Sequence, residues 1–290
     1  IRLTPILAHF GRLMRDLTTM QLAENQYLIT GSGYLQSWHM RWFAQHLAQS
    51  GVEIRNVTDQ YGGIAVFGPR ARELLARVTA ANLSNAILPF MSVVQTDVAI
   101  APAWVARLSV TGELGYEIYV PTLHLCGLLD ALVQAAAGLD ARFVGLYALN
   151  SLRLEKGFGI WSREFSRDFT PRMAGLGRFI AYDRPDFIGH EAALRDRDSE
   201  PLRRLVTMAV DATDADASGY EPIFLDDRLV GFVTSGGYGH CAGTSLAMGY
   251  LDAHIPDDQK NLTISIMNEL RPCRVLREPI VDPTGVRPRS

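Results

Sequence analysis

The stretch Thr111-Gly-Glu-Leu-Gly-Tyr-Glu-Ile-Tyr-Val120 sets two carboxylates, Glu113 and Glu117, around a Gly-rich turn and an apolar run. Only Glu117 lies inside the run. Alternation from Gly115 puts Tyr116, Ile118 and Val120 on one face and Gly115, Glu117 and Tyr119 on the other. A carboxylate held on such a strand accepts two N–H donors side by side. By pattern alone the residue equally fits the solvent face of a half-buried strand. A second acid, Asp16 in Leu13-Met-Arg-Asp-Leu-Thr18, stands between apolar residues. Such an aspartate serves as a turn or capping group, or as a proton acceptor. Arg153 shares a helical run with Leu149, Leu152 and Leu154, and on its own reads as half of a salt bridge to a neighbouring segment. Thr234-Ser-Gly-Gly-Tyr-Gly-His240 is Gly-rich but lacks the Gly-Lys-Ser/Thr of a phosphate loop, so a tight connection between strands explains it.

These residues need a scaffold, and the chain supplies strands and helices without regular βαβ alternation, an α+β pattern. Tyr27–Thr30 reads as a strand, and Gly31-Ser-Gly33 as a turn whose amides lead into a helix near Tyr34–Gln49. Leu35, Trp38, Trp42 and His46 fall at helical spacing there, which predicts that the tryptophans are core. Ile64–Phe67 is a short strand; Gly68-Pro69 then opens a helix through Val78 with Pro69 at its first position. Val93–Ile100 and Ala103–Val110 read as paired strands turning at Ala101-Pro102, and helices are expected over Thr122–Ala137 and Tyr147–Lys156. Past the polar segment Asp196–Pro201 the helical signals fade. Leu205–Val210, Arg228–Thr234, Leu246–Leu251 and Leu262–Met267 are short strands separated by turn residues, which predicts a small all-β barrel or sandwich. The boundary falls near residue 200, giving a mixed helix and sheet domain over 1–199 and a barrel over 200–290.

The 290 residues are long enough for two cores, and 48% hydrophobic with 20% charged residues is ordinary globular composition. A net charge of -3 with no basic block argues against a nucleic-acid or anionic-membrane surface. Only Lys156 and Lys260 among the 28 basic residues are lysine. Cys126, Cys241 and Cys273 are odd in number and far apart, and His9, His39, His124, His190 and His254 share no metal-ligand spacing, so neither disulfides nor a metal is expected. A reducing compartment follows, the cytoplasm or, in a eukaryote, the mitochondrial matrix. No apolar run approaches bilayer length, and no strand precedes a G-x-G-x-x-G dinucleotide fingerprint. Because the chain starts at Ile1 without methionine, it reads as part of a longer protein.

The turn at Thr111–Glu117 is followed in order by Gly145-Leu-Tyr-Ala-Leu-Asn-Ser-Leu-Arg-Leu-Glu-Lys-Gly157, Ala174-Gly-Leu-Gly177, Asp186-Phe-Ile-Gly189, Val230-Gly-Phe-Val-Thr-Ser-Gly-Gly-Tyr238 and the ending Glu278-Pro-Ile-Val-Asp-Pro-Thr-Gly285. In order and spacing these resemble the tetrahydrofolate-binding T-protein (aminomethyltransferase) superfamily. The likeness is greatest to the C-terminal half of dimethylglycine and sarcosine dehydrogenases. Ser151–Gly157 followed by Trp161 looks more like that branch than the glycine-cleavage branch.

The resemblance implies tetrahydrofolate as cofactor. Its pterin presents a planar pair of N–H donors, and Glu117 is the residue implied to accept them. It also implies Asp16 as the catalytic proton acceptor at the one-carbon centre, and Arg153 as a cation facing the folate carboxylates, although many T-proteins carry their arginine four residues earlier, where this chain has Leu149. Ser32, Gly33, Glu113 and Tyr238 complete the expected cofactor contacts. A tyrosine commonly stands seven residues before the pterin glutamate; here Val110 occupies that position, so one aromatic contact is expected to be missing. The implied reaction captures the carbon released from an N-methylated amine and yields methylenetetrahydrofolate. FAD would sit on an upstream or partner oxidoreductase domain. The alternatives are a glycine-cleavage-type aminomethyltransferase, a folate-dependent demethylase, and a folate-binding accessory protein without turnover.

Overall fold

A computed structural model describes residues 1–47 and 49–290. The first block is a three-stranded antiparallel sheet, β1 (Arg2–Leu7), β2 (Leu13–Ala23) and β3 (Gln26–Thr30), with β2 in the middle. Alternation along β2 buries Leu13, Arg15 and Leu17 on one face and leaves Met14, Asp16 and Thr18 half-buried on the other. A 3₁₀ turn (Gly33–Leu35) leads into α1 (Gln36–Leu47), which lies over the Leu17 face. Gly31 permits this approach: a Cβ there would meet Leu17 Cδ2 at 2.5 Å and His39 Cε1 at 3.0 Å.

The second block is a four-stranded antiparallel sheet in the order β4 (Tyr61–Phe67), β7 (Gly115–Pro121), β6 (Ala101–Arg107), β5 (Ser92–Val98). Helices α2 (Ala71–Ala76) and α3 (Leu125–Ala135) cover one face, where Val105, Ile118 and Val120 are wholly buried among Leu74, Leu75, Leu128 and Leu132. Each such aliphatic side chain contributes about 1.5–3 kcal/mol. The other face carries Glu117, Tyr119, Trp104 and Tyr61, with Gly63 and Ala65 exposed between them.

The third block is a closed antiparallel barrel with strand order β10-β11-β8-β13-β12-β9, built from β8 (Arg203–Val210), β9 (Pro222–Leu225), β10 (Arg228–Gly239), β11 (Thr244–Asp252), β12 (Leu262–Ile266) and β13 (Glu269–Leu276). Closure leaves no unpaired edge, and Met208, Ile223, Val233, Ala247 and Ile264 fill the interior. Helix α4 (Leu146–Glu155) packs on β10, while α5 (His190–Asp198) precedes the barrel. Among the described residues no helix is long and apolar enough to cross a membrane.

The expected α+β region followed by a barrel is present, with local corrections. Pro69 lies before the N-cap residue Arg70 rather than at the first position of α2. The β5–β6 turn is Ala99-Ile100, with Ala99 at φ 55°, and Pro102 sits in β6 opposite Asp97. The tryptophans of α1 are not core: Trp38 and Trp42 are half-buried and stack on each other with centroids 5.2 Å apart, and His39 is the buried residue of the helix.

Candidate functional site

Glu117 sits where strand alternation puts it, on the face of β7 away from the hydrophobic core. Its strand neighbours on that face are small: Ala65 stands opposite on β4 and Ala106 opposite on β6. Two residues on, Tyr119 is flanked by Gly63 and Trp104, and Trp104 tilts against Tyr61 at 4.8 Å. The exposed Gly63 and Ala65 leave open ground beside the carboxylate, walled by aromatic rings. The Tyr119 hydroxyl donates to Glu117 Oε2. Burial, then the adjacent Glu117 charge, pushes the Tyr119 phenol well above its ordinary value, so it remains a proton donor. Among the described residues no hydrogen bond reaches Glu117 Oε1, so Tyr119 fixes one oxygen and leaves the other for a ligand.

Asp16 lies on the half-buried face of β2 with Met14 and Thr18. Thr18 pairs with Thr30 across the strands, and directly opposed residues share a face. Thr30 in turn meets the Tyr119 hydroxyl. The line Glu117–Tyr119–Thr30–Thr18–Asp16 therefore runs from one sheet to the other, and the space between its two carboxylates is the candidate cleft. Burial raises the Asp16 carboxyl above its ordinary value, partly offset by its own backbone and the charge of Arg15. A carboxylate so poised takes up a proton more readily than an exposed one. Ser32 and Gly33 follow Thr30 after Gly31: the Ser32 carbonyl accepts from Leu35 N at 3.0 Å, and Gly33 faces open space. Val110 lies in a bend outside β6 and is 38% exposed.

The other expected contacts lie elsewhere. Arg153 is 3% exposed and fully engaged by protein. It donates from Nη1 to Glu164 Oε2 at 2.9 Å and to Phe158 O at 3.1 Å, and from Nε and Nη2 to Asn150 Oδ1 at 2.9 and 2.8 Å. With its donors occupied by carboxylate, amide and carbonyl oxygens, it cannot face folate carboxylates without breaking a buried pair. The salt bridge to a neighbouring segment that spacing alone predicts is present, but it is buried rather than on the surface. Glu113 Oε1 accepts from Arg287 Nη1 at 2.5 Å and so serves the C-terminal segment. Tyr238 is 42% exposed, lies edge-on to His240 at 5.2 Å, and its carbonyl accepts the Ser151 hydroxyl at 2.7 Å. Glu113, Arg153 and Tyr238 thus belong to the seam joining α4, the barrel and the last residues, not to the Asp16–Glu117 cleft. Tyr119, Thr30 and Trp104 are cleft residues that sequence reasoning missed, although Tyr119 carried the same alternation signal as Glu117.

The residues present suit a pterin: a carboxylate oxygen without a partner, an open floor of Gly63 and Ala65, and aromatic walls. Comparison with known proteins points the same way. Residues 1–184 match the GCVT N-terminal domain, and residues 203–282 match the glycine cleavage T-protein C-terminal barrel domain. The mitochondrial dimethylglycine dehydrogenase of Homo sapiens is 34% identical over 283 residues, which is 96% of this chain and 33% of that protein. The chain therefore spans about a third of that relative's length. An aminomethyltransferase of Desulforamulus reducens is 29% identical, over 95% of this chain and 75% of the relative. The crystal structure of glycine cleavage system aminomethyltransferase T from Bartonella henselae shares the fold, with a TM-score of 0.84 at 24% identity, covering 97% of this chain and 76% of that one. By both domain matches, the chain belongs to the glycine cleavage T-protein family.

Proposed function

We propose that this chain binds tetrahydrofolate in the Asp16–Glu117 cleft and promotes transfer of a one-carbon unit to it. The observation that carries the reading is the Glu117 carboxylate, fixed by Tyr119 at one oxygen and open at the other, linked through Tyr119, Thr30 and Thr18 to the half-buried Asp16, whose carboxyl is raised. Bound tetrahydrofolate would supply the nucleophilic nitrogens that take up the carbon. Glu117 would hold the pterin edge by its paired N–H donors, and Trp104 and Tyr119 would limit where the ring can lie. Asp16 would accept the proton lost when carbon–nitrogen bond formation proceeds, and its charge would favour a cationic donor carbon. The finer reading is a carbon released from an N-methylated amine of the dimethylglycine or sarcosine type, oxidised on a flavin domain upstream or on a partner. The 34% identity to dimethylglycine dehydrogenase across 96% of the chain supports it. A second reading, a glycine-cleavage-type aminomethyltransferase, is favoured by the relative of which this chain spans 75%.

The test is calorimetric titration with tetrahydrofolate beside a rate assay for methylenetetrahydrofolate formation, read above the spontaneous condensation of formaldehyde. Glu117→Gln replaces an acceptor by a donor at one corner and is expected to weaken binding by about 1.5–3 kcal/mol. Equal affinity in wild type and variant removes Glu117 from the site. Binding without any acceleration in wild type makes the chain a folate-binding accessory protein instead.

A further inference from the structure

Among the described residues three arginines are buried, and two of them direct most of their guanidinium N–H groups to oxygen. Arg153 pairs with Glu164, and Arg107 donates to Asn85 Oδ1 and to the carbonyls of Leu88, Pro288 and Ser290. Arg15 differs. It is 4% exposed, its one hydrogen bond among the described residues runs from Nη1 to the carbonyl of Met14, and its Nε is buried without a partner; the Nε of Arg107 is likewise unpartnered, but both Nη atoms of Arg107 are engaged, whereas Nη2 of Arg15 makes no hydrogen bond. No carboxylate lies within ion-pair distance; the adjacent Asp16 leaves β2 on the opposite face. The unused edge is Nε with Nη2, the parallel pair of N–H groups that matches the two oxygens of a carboxylate. Elsewhere in this chain that same edge is filled by a carboxylate. Arg70 grips Glu73 through Nε at 2.8 Å and Nη2 at 2.9 Å, and Arg197 grips Asp198 at 2.7 and 3.1 Å.

The surroundings hold that edge in place and add positive charge. The Arg15 guanidinium lies 4.0 Å from the Trp38 ring centre and 5.0 Å from that of Trp161, so two indoles fix it. Arg167, exposed and without an ion pair among the described residues, approaches the same Trp38 ring at 5.7 Å. His39, 8% exposed and edge-on to Trp38 at 5.8 Å, has an Nε2 with no partner. Burial first, and then Arg15, lowers the His39 pKa, while burial and then Arg167 lower that of Arg15, which places the three groups close together. Two buried polar nitrogens left unpaired cost the fold free energy, and like charges raise the cost.

We propose that the Nε–Nη2 edge of Arg15, clamped between Trp38 and Trp161, anchors a binding site for a small carboxylate, with Arg167 and His39 Nε2 beside it. The site lies on the face of β2 opposite Asp16 and is separate from the folate cleft. The carboxylate therefore belongs to an independent small molecule rather than to the glutamate end of folate.

The experiment titrates the full chain with acetate, following tryptophan fluorescence at constant ionic strength set by chloride, with methylammonium chloride as a control that lacks the carboxylate. A saturable acetate response is expected, with none from methylammonium. Arg15→Lys keeps the charge but loses the fork, and is expected to weaken acetate binding about tenfold. Arg167→Gln, at an exposed position that leaves the fold intact, is expected to weaken it about threefold through lost charge attraction. Glu117→Gln leaves it unchanged. No saturable response, or Arg15→Lys and Arg167→Gln both binding acetate as wild type does, overturns the proposal and leaves Arg15 as a packing residue with a buried water on its edge. An acetate response abolished by Glu117→Gln overturns the separation from the folate cleft.

Discussion

Asp16 occupies a position that costs the folded chain stability. Its carboxyl is raised above the ordinary value chiefly by burial, so the folded state tolerates the proton better than the charge. The sign follows: Asp16 is harmless below the pKa of an unfolded aspartate, and its penalty grows as pH rises through the folded value. Asp16→Asn removes both the titration and the proton acceptor while keeping the size. At neutral pH the variant is expected to be more stable than wild type by on the order of 1 kcal/mol in denaturant melts, a difference that vanishes in acid. Turnover is expected to fall by about 10²–10⁴-fold with folate binding retained. A variant that is less stable at neutral pH, or that keeps full turnover, would show that Asp16 is a structural residue. Stability spent at a single carboxylate is what a site under functional demand displays.

At the scale of elements, the Tyr119 side chain brings β7 to the end of β3. Tyr119 donates to Glu117 on its own strand and meets Thr30 at the end of β3, so a single phenol both orients the carboxylate and adds a side-chain link between two sheets that also pack through β2 and β5. Tyr119→Phe keeps the ring and removes the donor. It is expected to weaken tetrahydrofolate binding by about 1 kcal/mol in calorimetric titration with little change in melting temperature; unchanged affinity would remove Tyr119 from any positioning role. Much of this was readable beforehand. The alternation in Gly115–Val120 placed Glu117 correctly, and the turn-separated apolar runs after residue 200 announced the barrel, because period-two burial is written directly in residue order. The strands β1, β9 and β13 escaped notice, as did β2, which carries Asp16. Pro5 and Pro272 interrupt β1 and β13, and Pro222 opens the four-residue β9, so their pairing comes from barrel and sheet closure rather than local preference. Arg153 was half legible: the salt bridge to a neighbouring segment is present, with Glu164, but helical spacing does not show that the pair is buried, which keeps Arg153 from the folate role the resemblance implied. Trp38 and Trp42 misled because apolar spacing on a helix cannot distinguish a core stripe from one that stacks on itself at half exposure.

At the scale of the whole molecule, the segment after β13 returns from the barrel to the four-stranded sheet and ties the blocks together. Lys156, at the end of α4, donates to both the carbonyl and the carboxylate of Asp282, with Nζ 2.8 Å from Oδ2 and each side chain 7% exposed. Arg287 reaches Glu113 beside the Glu117 turn, and Arg107 and Arg72 hold the carbonyl of Ser290. The turn that presents Glu117 is thus braced by residues more than 150 positions later. Burial pushes the Asp282 carboxyl up, but the hydrogen bonds from Lys156 and from the amides of Val286 and Arg287 outweigh it and hold the group below its ordinary value. A depressed carboxylate contributes stability that is present above the unfolded pKa and is lost as pH falls through the folded one. Asp282→Ala strands a buried ammonium, and truncating one partner of such a pair costs roughly 3 kcal/mol. The expected result at neutral pH is a lower denaturant midpoint, with tetrahydrofolate affinity falling as well because the Glu113–Glu117 turn loses its brace. The stability difference between wild type and variant is expected to shrink on acidification, since wild type then loses the same ion pair. A variant that melts with wild type at neutral pH would mean that the segment lies on the surface without load, whereas lost stability with unchanged folate affinity would confine its role to holding the barrel against α4.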